Sequence, residues 1–80
     1  MEVIKTDSMN KTYVTFGQSH VHQVGGHHLH KDCVAVINHS GDMSEGRKIA
    51  VDLFGPKFCT TYFNHMPDMS YYPDGLVELN

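Results

Sequence analysis

Basic residues are scarce in this chain: 6 Lys+Arg stand against 9 Asp+Glu, for a formal net charge of −3. That sign excludes a generic nucleic-acid binder, and its size is far too small for a polyanionic mimic of DNA. No apolar run reaches the length of a membrane span. The start, Met1-Glu2-Val3-Ile4-Lys5, has no basic region, apolar stretch or small-residue cleavage site, so a secreted product is not expected. There are two cysteines, Cys33 and Cys59, and they form no Cys-x-x-Cys pair. Both lie in apolar, strand-like segments. The expectation is reduced, structural thiols in the cytoplasm of whatever cell makes the chain. At 80 residues there is room for one domain, marginal on its own, which a dimer interface or a bound metal would support. With 40% hydrophobic and 19% charged residues the composition is globular, which excludes disorder, coiled coil and collagen.

The organisation reads as an N-terminal arm over residues 1–10 and a single α+β domain over residues 11–80. Thr12 to Phe16 are β-favouring types, with Val14 and Phe16 on one face and Tyr13 and Thr15 on the other. Gly17 interrupts this strand, which resumes through Ser19 to Val24. Gly25-Gly26 is a hairpin signal, because both positions tolerate positive φ. The return strand, His27 to Asn38, contains Cys33 to Ile37, apolar on both faces. Met43 to Phe54 is the one helix, with Asp42 as N-cap, Glu45 completing a capping box, and Gly55-Pro56 as the stop. Its expected core stripe is Ile49, Ala50, Leu53 and Phe54, packed on Phe16, the Cys33–Val36 run and Phe58. Phe58 to Phe63 is a third strand, Pro67-Asp68 a turn or single helical turn, and residues 76–79 an optional fourth, short edge strand. The fold class is therefore α+β: a small antiparallel sheet, β-β-α-β with that optional strand, and one helix on one face. Tyr13, Val34, Val36 and Tyr62 are expected on an uncovered second face. That face argues for a partner or a homodimer.

Histidine is what the chain has in excess: 7 in 80 residues, five of them from His20 to His30. His20-Val21-His22 and His28-Leu29-His30 each place two imidazoles on one face of a strand, a local metal-chelating arrangement. Hairpin parity decides whether the pairs meet. A two-residue turn opposes His22 to Leu29 and puts the pairs on opposite faces. A three-residue turn opposes His20 to His30 and His22 to His28, giving a four-histidine candidate for zinc or another transition metal. The tight turn is the expected one, and with it a solvated, polar hairpin.

Other constellations are thin. Cys33, within Asp-Cys-Val-Ala-Val, reads as core rather than nucleophile. The aspartates show no paired spacing, and the glycines form no phosphate cradle. No catalytic residue is expected, and the chain is not read as an enzyme.

Tyr13-Val14-Thr15-Phe16-Gly17-Gln18, His20-x-His22, Lys31-Asp32-Cys33-Val34-Ala35-Val36-Ile37, Leu53-Phe54-Gly55-Pro56-Lys57-Phe58-Cys59 and Tyr72-Pro73-Asp74-Gly75-Leu76-Val77-Glu78 resemble a group of short phage and prophage proteins. The resemblance covers residues 11–79. It implies a phage origin and carries over no site residue. In kind, though not in motif, the chain is similar to the small anti-CRISPR inhibitors that disable a host protein. The expected function is accordingly a host-protein inhibitor, with Asp32, Glu45, Asp52, Asp68 and Asp74 as anionic contacts and Tyr13 and Tyr62 on the sheet face. The alternative is a metal-binding module on His20, His22, His28 and His30.

Overall fold

The structure, a computed structural model, describes residues 10–79. The arm expected over residues 1–10 lies outside them except for Asn10, which opens the first strand. Strands β1 (Asn10–Thr15), β2 (His22–Val24), β3 (His27–Leu29) and β4 (Cys33–His39) precede helix α1 (Met43–Phe54). Strands β5 (Thr60–Phe63) and β6 (Gly75–Glu78) follow, with a short 3-10 turn, Met69–Tyr71, between them. Four strands form one sheet in the order β5-β1-β4-β6, and β2 with β3 makes a separate hairpin. The fold is the expected α+β sandwich. One pairing is parallel, that of β4 with β6, so the sheet is mixed.

The helix begins and ends where its caps dictate. Asp42 Oδ1 accepts the Glu45 N–H at 3.2 Å, and the Gly55 N–H donates to the Val51 carbonyl at 2.7 Å. Its buried stripe is Gly46, Ala50 and Phe54. Leu53 is 40% exposed, which corrects the expectation that it anchors the core. The reason is rotation. The helix approaches the sheet through Gly46, and residues four and eight positions on from it follow onto the same side. Leu53 and half-buried Ile49 fall at the margin of that contact. Val14, Phe16, Leu29, Cys33, Ala35, Ile37, Ala50 and Phe54 form the core, with Phe58 packed at its edge.

β1 and β4 pair with opposed numbers adding to 49, whereas β2 and β3 pair with numbers adding to 51. The first arm therefore carries two more residues than the second between sheet and hairpin. That excess breaks the ladder at Phe16 to Val21 and lets the hairpin bend over the helix side, where Leu29 and Val24 join the core. The turn at Gly25-Gly26 is the two-residue form, with φ of 56° and 85°.

The second face of the sheet is not bare. Val34 and Val36 are 0% and 1% exposed, and Tyr13 and Tyr62 are half-buried cross-strand neighbours. The connection from β5 to β6 has to pass from one sheet edge to the other. Its Tyr72 lies on this face, beside the Thr15 side chain and near Tyr62, and its Pro67 is buried. The expectation of exposed valines fails here, and with it the ground on which a homodimer was expected.

Candidate functional site

The hairpin register separates the histidines. His22 opposes Leu29 on the inner side, and His28 opposes Gln23 on the outer side. The inner histidine is committed to structure. Its Nε2–H donates to the Lys57 carbonyl at 2.6 Å, and its ring lies 4.8 Å from that of Phe54 and 5.7 Å from that of Phe16. His20 is half-buried and precedes the strand. On the outer side the His28 and His30 rings meet edge to face at 5.4 Å. The four histidines do not share one site.

His30 instead meets two carboxylates. One ligand atom each from His30, Asp32 and Asp74 lies within 4.8 Å of the others. His30 Nε2 is 3.1 Å from Asp74 Oδ2, and the Asp32 N–H donates to His30 Nδ1 at 3.2 Å. The backbone brings two of the three together. Cys33 and Gly75 are partners in the parallel pairing, so the residue before each is brought alongside, and the Asp74 N–H donates to the Asp32 carbonyl at 2.9 Å. Lys31 Nζ stands 3.4 Å from Asp32 Oδ1, in the open. The sequence reading missed this trio because Asp32 and Asp74 are 42 positions apart. Only the pairing of β6 with β4 joins them.

Cys33, next in the chain, is buried beneath this cluster. Its sulfur approaches the His30 carbonyl at 3.5 Å and takes the His30 N–H at 3.2 Å. Burial pushes its thiol above the ordinary 9.0, with the Asp74 and Asp32 charges acting in the same direction. A thiol held neutral is a poor nucleophile. Cys59 is the exposed cysteine, and both are free thiols. Cys59 lines an open cleft of about 310 Å³ together with Thr15, Gly17, Gln18, Lys31, Tyr71 and Tyr72.

The remaining anionic candidates divide between the two layers. Glu45 and Asp52 are exposed on α1, on the helix side of the sheet. Asp68 is on the other connection and caps the 3-10 turn: its Oδ1 accepts the Ser70 N–H at 3.0 Å and the Ser70 hydroxyl at 2.7 Å, which holds its carboxyl below the ordinary 3.8. Tyr13 and Tyr62 face the side of the sheet on which Tyr72 lies. The seven candidates therefore form no single surface.

The negative charge itself is concentrated in the sequence after Phe58. Residues 1–57 hold six acidic and six basic residues, whereas residues 58–80 hold three acidic and none basic, so the whole net charge of −3 belongs to the C-terminal stretch. The same stretch exposes Tyr71 (73%), Met66 (51%) and Leu76 (44%). That charge asymmetry is countable in the sequence. What was needed to use it was the knowledge that the stretch crosses the sheet.

No family model matches the chain, and no curated protein or solved structure is significantly similar to it. Among the described residues, no helix is long and apolar enough to cross a membrane.

Proposed function

We propose that the chain is an interaction protein, of the phage-encoded kind that disables a host protein, and that it docks through the β5–β6 connection onto a basic surface. One observation carries the reading: the entire excess of negative charge coincides with an exposed tyrosine, methionine and leucine on one continuous segment. Tyrosine and methionine are enriched at protein interfaces, where they supply contact area, while like-signed charge steers the encounter with an opposite surface. Asp68 and Asp74 are the anionic contacts, Tyr71 the anchor, and Met66 and Leu76 its apolar flanks. Glu45 and Asp52, on the other layer, take no part. The phage origin rests on the sequence resemblance over residues 11–79.

The test is affinity capture from bacterial lysate with the wild-type chain and with Tyr71→Ala. A defined partner, retained at low salt, lost as salt rises and lost with Tyr71→Ala, is the expected result. A partner retained equally by both chains overturns the assignment of the surface, and capture of none overturns the reading.

A further inference from the structure

We propose that His30, Asp32 and Asp74 form a divalent transition-metal site that staples β6 to β4. Three observations support it. First, the donor set is one imidazole and two carboxylates, which suits zinc and manganese ions and leaves the remaining positions to water. Secondly, the geometry is close to assembled. Ligand atoms around a metal with bonds of about 2.1 Å stand about 3.0–3.4 Å apart, from octahedral to tetrahedral geometry. His30 Nε2 and Asp74 Oδ2 are already 3.1 Å apart, and the whole trio lies within 4.8 Å. Thirdly, the backbone itself places the two carboxylate-bearing residues side by side. Asp32 and Asp74 immediately precede paired residues of the one parallel ladder, and the Asp74 N–H is bonded to the Asp32 carbonyl. That register forces two like charges together at the ends of adjacent strands, an arrangement a bound cation relieves.

Binding reorganises one proton and one hydrogen bond. His30 Nδ1 accepts from the Asp32 N–H, which leaves Nε2 as the nitrogen that donates toward Asp74. A metal on Nε2 moves that proton to Nδ1, with no net release, and costs the 3.2 Å bond to the Asp32 N–H. Lys31 leaves Asp32, an exposed contact of little strength. His30 and Asp32 are half-buried and Asp74 is exposed, so the ion has open access from solvent. The site is independent of the docking surface except for Asp74, which both use.

The experiment is calorimetric titration of untagged, chelator-stripped full-length protein with zinc, and then with manganese. Wild type, Asp74→Asn, and the double variant His27→Ala with His28→Ala are compared. The expected result is one ion per chain. Its affinity falls at least about tenfold in Asp74→Asn and stays within about threefold of wild type in the double variant. Zinc at tenfold excess over its dissociation constant also raises the melting temperature of wild type by about 5 °C or more. Should Asp74→Asn not fold, cobalt absorption of wild type decides. A d–d spectrum without thiolate charge transfer, at one cobalt per chain, supports the imidazole-carboxylate shell, and a thiolate charge-transfer band or no cobalt binding contradicts it. Sub-stoichiometric binding, or binding that survives Asp74→Asn and vanishes in the double variant, overturns the proposal in favour of the hairpin tip.

Discussion

Thr12 Oγ1 and His39 Nε2 lie 2.7 Å apart, buried, and the helix rests on them through Gly46. A Cβ at Gly46 would overlap Thr12 Oγ1 and come within 2.7 Å of His39 Nε2. The glycine is therefore a matter of close approach rather than of helix formation. Alanine is intrinsically the better helix former by about 1 kcal/mol, yet Gly46→Ala is expected to destabilise by about 1–3 kcal/mol through overpacking. Urea unfolding measures it; a Gly46→Ala chain as stable as wild type contradicts this packing.

His39 has its other nitrogen, Nδ1, buried without a hydrogen-bond partner among the described residues. Thr12 is thus the one hydrogen-bond partner of its ring there. Thr12→Val keeps the shape and leaves both ring nitrogens unpaired, which is expected to cost about 1–3 kcal/mol. Denaturant midpoints of the two chains give the difference directly.

Within the helix, Phe54 and Leu53 are adjacent in sequence and opposite in consequence. Phe54 is 4% exposed and meets Phe16 edge to face at 5.1 Å, whereas Leu53 is 40% exposed. Phe54→Ala is expected to cost about 3–5 kcal/mol and Leu53→Ala less than about 1 kcal/mol. The first loss is a large part of the stability of so small a domain. Thermal melts of both variants separate the two residues; equal losses contradict the observed helix rotation.

These particulars show what was legible in the sequence. Caps are local, so both ends of α1 follow from Asp42 and Gly55. Turn chemistry is local too, so Gly25-Gly26 sets the register that parts His22 from His28. The rotation of the helix is a tertiary matter: Ile49, Leu53 and Phe54 are equally apolar, and only the approach at Gly46 chooses among them. The same holds for Val34 and Val36. Both are buried on a face that the sequence left without a covering layer. The His30, Asp32 and Asp74 trio lay beyond local reading because a parallel pairing over a long separation creates it.

His22, read as a solvated hairpin residue, is a packing residue. Its hydrogen bond to Lys57 and its two aromatic neighbours tie the hairpin to the end of α1. His22→Ala is expected to lower stability by about 1–2 kcal/mol, and His20→Ala by less than about 0.5 kcal/mol. Comparing the two single variants by chemical denaturation decides the matter; equal effects contradict the inner placement of His22.

Stability should fall at both extremes of pH. Cys33 has its folded pKa raised above 9.0, chiefly by burial, and Tyr72 is raised above 10.0 for the same first cause. For groups shifted upward, the contribution is fully present below the unfolded value and is lost as pH rises from there through the folded value. Asp68 is shifted the other way, chiefly by the Ser70 hydroxyl and then by the Ser70 N–H. Its contribution is present above 3.8 and is lost as pH falls through the folded value. Cys33→Ala should flatten the alkaline limb above pH 9 in a pH series of melts, and Asp68→Asn the acid limb.

The most direct test of the docking surface is hydrogen–deuterium exchange of the chain with and without its captured partner. The account predicts new protection confined to residues 66–78, weakening as salt is raised, with α1 and the β2–β3 hairpin unchanged. Protection on the exposed side of α1, around Glu45 and Asp52, with residues 66–78 exchanging as in the free chain, would contradict it.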